Sequence, residues 1–155
     1  MSKLVPAVMS VSGFEAFLHR KIPLSRAMQV RVVRCDRQEL ELAAPLAPNI
    51  NHLGTAFGGS LNALATLTGY GVVYLLLREI PADGHIVLKE SRIDYLSPVR
   101  GQLRAACRRP PPVAIEKFQA GFRRHGKARL DLMVQIAGSG RQAAVIFHGR
   151  FVAGR

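Results

Sequence analysis

The sequence predicts an α+β fold in which an antiparallel sheet wraps one long apolar helix. Three observations carry that prediction. Residues 59–77, "GSLNALATLTGYGVVYLLL", contain no charged side chain and read as a single helix. Segments of period-two alternation follow it, the clearest being "KARLDLMVQIA" at 127–137 and "RQAAVIFHGRFV" at 141–152. The element order is helix, two strands, long helix, two strands, short helix, two strands. A helix apolar on all sides needs cover, and in this chain only the sheet is large enough to supply it.

The first element is a short helix over "GFEAFLHRKI", 13–22, with Phe14, Phe17 and Leu18 on one face and Pro23 marking its end. "MQVRVVRC" at 28–35 and "QELELAA" at 38–44 read as a hairpin. The second strand buries Leu40 and Leu42, exposes Glu39 and Glu41, and stops at Pro45 and Pro48. The long helix runs from about Gly58 to Glu79 and gives way to a turn at "PADG", 81–84. "HIVLKESRIDYL" at 85–96 and "GQLRAACR" at 101–108 read as neighbouring strands joined through Ser97, Pro98 and Val99, with Leu103, Ala105 and Cys107 sharing a face. Three prolines then precede an amphipathic helix carrying Ile115, Phe118 and Phe122 and closing at Gly126. The last two strands turn at "GSG", 138–140. At 155 residues and 48% hydrophobic content the chain fits one domain over 1–155, with 1–24 as an N-terminal helical segment packed on it.

The net charge of +12 points to a polyanionic partner: nucleic acid, an anionic membrane surface or a phosphorylated small molecule. Cys35 and Cys107 fit no zinc-ligand spacing and read as reduced core thiols. Ser10, Ser12 and Gly13 interrupt the apolar stretch after Lys3 and no A-x-A site follows, so a signal peptide is not expected and a cytoplasmic protein is. The uncharged run is long enough to span a bilayer, but Ser60, Asn62, Thr66, Thr68, Gly69 and Gly71 dilute it, and a core helix explains it better than a membrane span. Gly54 and Gly59 have phosphate-loop spacing, yet Ser60 and Leu61 stand where Lys and Ser or Thr belong. Gly138, Gly140 and Ala143 match a dinucleotide fingerprint but join two strands. No nucleophile elbow or H-E-x-x-H is present, and neither a metal nor a cofactor is expected.

What remains is "NINHLGTAFGGSLNAL", 49–64, a glycine-rich turn placed directly before the apolar helix. A helix start leaves backbone N–H groups unpaired, and glycine lets a ligand reach them. Such donors stabilise the oxyanion of a tetrahedral intermediate by about 3 kcal/mol each. Gly58 and Gly59 also suit close packing of the loop, and Asn51 suits satisfaction of loop backbone; the residues alone leave both readings open.

The stretch "NINHLGTAFGGSLNALATLTGYG" resembles the loop and central helix of hotdog-fold acyl-CoA thioesterases, whose phenylacetate-type members carry N-x-x-G-T-x-H-G-G followed by L-x-D. In particular it resembles the YiiD C-terminal, putative thioesterase family, with its G-T-A-F-G-G-S-L core and a later strand ending in Y-L-x-P-V, here "YLSPV" at 95–99. The resemblance spans roughly residues 25–155. It implies a hotdog fold and hydrolysis of a fatty or aryl thioester of coenzyme A or an acyl carrier protein. It also implies a cleft between the subunits of a homodimer, or of a dimer of dimers. By the same resemblance Asn51 is the loop asparagine and Gly58 the glycine whose N–H polarises the carbonyl, with Phe57, Gly59 and Ser60 beside the substrate. Phe57 replaces the histidine of the better-known enzymes, and Thr66 occupies the position of their helix aspartate. A threonine hydroxyl is no general base at neutral pH, so the carboxylate mechanism does not transfer. A non-catalytic acyl-CoA or lipid-binding module is therefore the alternative.

Two carboxylates offer a substitute. Glu90 and Asp94 share one face of their strand while Lys89, Ser91 and Ile93 share the other. Reaching across a dimer, Glu90 is the leading base and Asp94 the second, with Ser91 near the substrate; the plainer reading is solvated carboxylates paired with Arg92 or Lys89. Ser60 and Thr66 serve alternatively to orient a water or are satisfied by their own backbone. His52 reads as a loop histidine and His148 as one on a strand surface. Basic residues crowd 100–129, and Arg100, Arg108 and Arg109 are candidates for the phosphates of coenzyme A, a solubilising surface being the alternative. Nucleic acid is not the expected partner, because that stretch offers only Phe118 and Phe122 as aromatics and no binding motif.

Overall fold

A computed structural model describes residues 9–155, so the reading of the stretch after Lys3 as no signal peptide lies largely outside the described residues. The elements are α1 (Val11–Lys21), α2 (Pro23–Ala27), β1 (Arg31–Cys35), β2 (Glu39–Ala44), α3 (Gly58–Arg78), β3 (His85–Tyr95), β4 (Leu103–Arg108), α4 (Pro112–His125), β5 (Lys127–Ala137) and β6 (Ala143–Gly154). The strands form one antiparallel sheet in the order β1-β2-β4-β5-β6-β3. Its inner face curls against α3, the hotdog architecture that the resemblance implies. On β5, Leu130, Leu132, Val134 and Ile136 all point inward and are buried, as the period-two pattern requires.

α3 buries Leu61, Leu64, Leu67, Val72, Val73, Leu76 and Leu77 against that face, each worth about 2 kcal/mol of transfer free energy. Two glycines let it approach closely. A Cβ at Gly69 would stand 2.6 Å from the Phe151 ring, and one at Gly71 would stand 2.5 Å from Leu40. Their helix-propensity cost, about 1 kcal/mol each, is offset by the packing they permit. α3 is long and apolar enough to cross a bilayer, yet 61% of its most apolar stretch is buried inside the protein, as expected of a core helix.

The structure departs from the sequence reading in three places. β1 begins at Arg31 rather than Met28, because Pro23 sits in the first turn of a second helix whose exit passes through Gln29 in the left-handed region, φ 58°. β3 and β4 are not neighbours: among the described residues β3 is the sheet edge, paired with β6 alone, while β4 lies between β2 and β5. The segment between them is a crossover. Leu96 and Ser97 donate backbone N–H groups to the Ala144 carbonyl, at 2.7 and 3.2 Å, and the Val99 carbonyl accepts from Ala56 at 2.8 Å, tying the sheet edge to the glycine loop. Finally, α3 is not buried on nearly every side. A stripe of Asn62, Ala63, Thr66, Tyr70 and Tyr74 is only half-buried and Gly59 is exposed, because the sheet covers one side and α1 covers α3 near Gly71 and Tyr74, through Phe14 and Phe17.

Candidate active site

The loop before α3 engages most of its own polar groups, Asn49 Oδ1 being buried without a partner among the described residues. Asn49, buried, donates from Nδ2 to the carbonyls of Met28 and Pro45 at 3.0 and 2.8 Å, and its own carbonyl accepts the Phe57 N–H at 2.7 Å. Asn51 accepts through Oδ1 from the N–H groups of Leu53 (2.8 Å) and Thr55 (3.1 Å) and donates from Nδ2 to Thr55 Oγ1 at 2.8 Å. It is an Asx turn that fixes residues 51–55, the loop-satisfying of its two readings.

Beyond Phe57 the pattern breaks. Phe57 is the N-cap of α3 and offers no capping side chain, and the first turn holds no acidic residue. Among the described residues no backbone or side-chain acceptor engages the N–H groups of Gly58, Gly59 or Ser60. Three open donors and the positive end of a 21-residue helix dipole therefore meet at one point. The Phe57 amide, by contrast, is sealed by Asn49. Its ring is 57% exposed and lies over Gly59, where a Cβ would collide with it.

A slot of about 420 Å³ runs from this helix start along the uncovered stripe. Its mouth is polar, with Gly59, Asn62 and Thr66, and Thr66 Oγ1 donates to Asn62 Oδ1 at 3.4 Å. Its walls are apolar, from Leu67 and Tyr70 of α3 and from Leu88 and Phe151 of the sheet. Ile22 and Leu24, on either side of Pro23, close it from the N-terminal side. Tyr95, at the end of β3, stacks its ring on Gly58 and donates from its hydroxyl to the Gly58 carbonyl at 3.2 Å. Ser60 lies in the same first turn, half-buried.

The remaining candidates lie elsewhere. Phe151 points inward, so its neighbour Arg150 points outward, and Glu90 lies opposite Arg150 with a 2.8 Å ion pair to Arg150 Nη1. Arg150 also holds Asp131, whose carboxyl is drawn below the usual range by that hydrogen bond. Asp94 is on the same outer face, 3.4 Å from Arg92, the partner the plainer reading named. A bulge between Leu88 and Glu90 takes Lys89 out of the alternation, and Ser91 borders an outer groove rather than the slot. The arginines divide: Arg100 is exposed next to Val99, at the slot end of the sheet. Arg108 and Arg109 lie at the far end of α3, about 30 Å away by helix rise, where Arg109 grips Glu79 in a bidentate pair at 2.5 and 2.8 Å. His52 is exposed in the loop and His148 on the outer face, as read. Cys107 is buried, its thiol pushed up to about 12 by desolvation, whereas Cys35 is only half-buried.

Sequence reasoning missed Asn49, Asn62 and Tyr95. Asn62 had a signal, since it stands four residues before Thr66 and so on the same helix face. Tyr95 was visible only inside "YLSPV", with nothing to show which way its ring points. Asn49 carried no signal, because its partners are 21 residues before it and 8 after it only once the chain has folded.

An antiparallel sheet curled on a helix whose open amides head an apolar slot defines a thioesterase-like hotdog protein. The chain belongs to the putative thioesterase (yiiD_Cterm) family, which matches residues 11–155. Among solved structures it is similar to a protein of unknown function from Chlorobaculum tepidum TLS, at 31% identity and TM-score 0.90, covering 96% of this chain and 99% of that one. It is similar also to the putative thioesterase from Shewanella oneidensis, at 33% identity and TM-score 0.80, covering 94% and 97%. A thioesterase from Haemophilus influenzae shares the fold at 11% identity and TM-score 0.69, covering 93% and 90%.

Proposed function

We propose that the protein hydrolyses acyl thioesters of coenzyme A or of an acyl carrier. The observation that carries this reading is the set of unengaged amides at Gly58 and Gly59, at the mouth of an apolar slot. The thioester carbonyl oxygen accepts from those amides, which bind the tetrahedral oxyanion more strongly than the ground-state carbonyl. Water attacks the carbonyl carbon, the C–S bond breaks, the acid keeps the hydroxyl and the thiolate takes up the proton. Thr66 donates to Asn62 Oδ1, which leaves its own oxygen lone pairs to receive that water; it stands about 10 Å from Gly59 by helix rise, so in this scheme it meets the water from the second copy of the chain. Glu90 has no part in this scheme. It faces outward beside Arg150, and edge-to-edge pairing of two β3 strands would keep it on the outer face.

A second copy completes the assembly in this reading. β3 is an eleven-residue edge strand with one side unpaired, and Val87 is exposed along it, so an antiparallel copy of itself is its natural partner. Pairing there closes the open side of the slot. In this reading Arg100, exposed at the slot end, meets the phosphates of coenzyme A, and its exposure beside Val99 supports that role. The alternative, an acyl-binding module without turnover, is favoured by one observation: Thr66 stands where a carboxylate would activate water.

The test is release of free thiol from a series of acyl-CoA substrates by the purified protein. Turnover on some member, lost on Thr66→Val with binding retained, supports hydrolysis. Saturable binding with no release from any member overturns it in favour of the module.

A further inference from the structure

The slot has a definite end, and its end is built differently from its walls. Phe14, Phe17, Tyr74 and Tyr70 form a ladder of near-parallel rings, with interplanar angles of 12° to 19°. The ladder is anchored at Phe14, which is fully buried, and tightened by the 4.2 Å stack of Phe17 on Tyr74. Tyr70 is its outermost rung, 6.3 Å from Tyr74, and the last residue of α3 that lines the slot. Beyond it the groove along the helix is filled by aromatic rings. Tyr70 is backed by Tyr74, which Phe14 and Phe17 hold in turn, so its ring has less room to swing aside than a lone side chain on a half-buried stripe.

We infer that Tyr70 is the specificity-determining residue that limits the acyl chain to medium length, an inference that rests on the acyl-thioester reading above. Gly59 and Tyr70 are eleven residues apart, about 16 Å along the helix. Leaving about 3.5 Å for contact with the ring gives some 12 Å of usable depth. A staggered alkyl chain of ~1.5 Å bonds advances about 1.3 Å per carbon, so the slot holds about ten carbons. The lining favours an alkyl chain, since Leu67, Leu88, Ile22 and Leu24 supply flexible aliphatic walls along its length. Burial pushes the Tyr70 phenol up from its ordinary value, so the stop carries no charge at neutral pH.

The experiment measures two quantities on the same protein: turnover of saturated acyl-CoA substrates from six to sixteen carbons, and displacement of a fluorescent fatty acid by free fatty acids of the same lengths. Both are expected to peak near ten carbons and to fall at least tenfold by fourteen. Tyr70→Ala moves the stop back to Tyr74, one turn or about 6 Å, and shifts both optima by four to five carbons. Tyr70→Phe leaves them in place, and Tyr70→Leu shifts them the same way by less while keeping apolar bulk for folding. A length limit in fatty-acid binding without any turnover leaves this inference standing and removes the hydrolytic reading. Turnover with no limit, or a limit that Tyr70→Ala and Tyr70→Leu leave unmoved, overturns the inference alone. So does a Tyr70→Ala protein that sediments as a smaller species with its length preference unchanged, since the stripe would then be a contact between copies.

Discussion

The two ends of α3 are treated in opposite ways. At its C-terminus two of the last carbonyls find partners: Gln119 donates from Nε2 to the Leu76 carbonyl at 3.0 Å, and the backbone N–H groups of Glu79 and Ile80 turn back onto Leu76 and Leu77. Glu79 just beyond is pinned by Arg109 and Gln119. At its N-terminus Asn49 holds the Phe57 amide and Asn51 those of Leu53 and Thr55, after which no acceptor among the described residues engages the N–H groups of Gly58, Gly59 or Ser60. A helix end carrying no partner costs stability, so the contrast leaves the N-terminus as the end open to a ligand and the C-terminus as the end that anchors.

The largest expected effect breaks that contrast at the open end. Gly58→Pro removes one donor at the first helical position, where proline is tolerated, and Phe57 already has the extended backbone, φ −64° and ψ 132°, that a following proline requires. Thioester turnover is expected to fall about 10²–10³-fold with little change in melting temperature. Asn51→Ala comes next. It strips the acceptors from Leu53 and Thr55 and should cost about 1–2 kcal/mol in denaturant unfolding, lowering kcat through a displaced Gly58. At the anchored end Glu79→Gln should cost at most about 1 kcal/mol, since the pair with Arg109 is partly exposed, and leave turnover unchanged.

The smallest effect lies away from both ends, in the β1–β2 turn. Asp36 is held down to about 2, first by the Glu39 N–H and then by Arg34. Its folded pKa lies below the unfolded value of about 3.9, so its contribution is complete above that value and is lost as pH falls from about 4 through 2. Thermal melts of Asp36→Asn should show a shallower decline over that interval than the parent protein and the same slope above it.

How much of this was legible beforehand follows from where each signal lives. α3, β5 and β6 were readable because burial imposes a period on consecutive residues, and Leu130, Leu132, Val134 and Ile136 show it without help from the rest of the chain. The pairing of β3 was not, because "SPV" reads equally as a hairpin turn and as a crossover. What decides is the Ala56–Val99 hydrogen bond, between residues distant in sequence. The glycine turn announced the open amides, but the facing of Glu90 depends on a bulge at Lys89 and on Arg150, sixty positions later. Asn62 and Thr66 were separately visible as polar residues in an apolar run. Only the uncovered stripe on α3 makes them the mouth of a slot, and a reading of that helix as buried all round conceals it.

The open helix start is tested most directly by the backbone N–H resonances of Gly58 and Gly59 during titration with a non-hydrolysable acyl-CoA ketone, whose carbonyl replaces that of the thioester. Both resonances should move downfield and gain protection from exchange as the ligand saturates, while Phe57, already bonded to Asn49, moves little. Saturation of the ligand with Gly58 and Gly59 unmoved would contradict the placement of the carbonyl at this helix start.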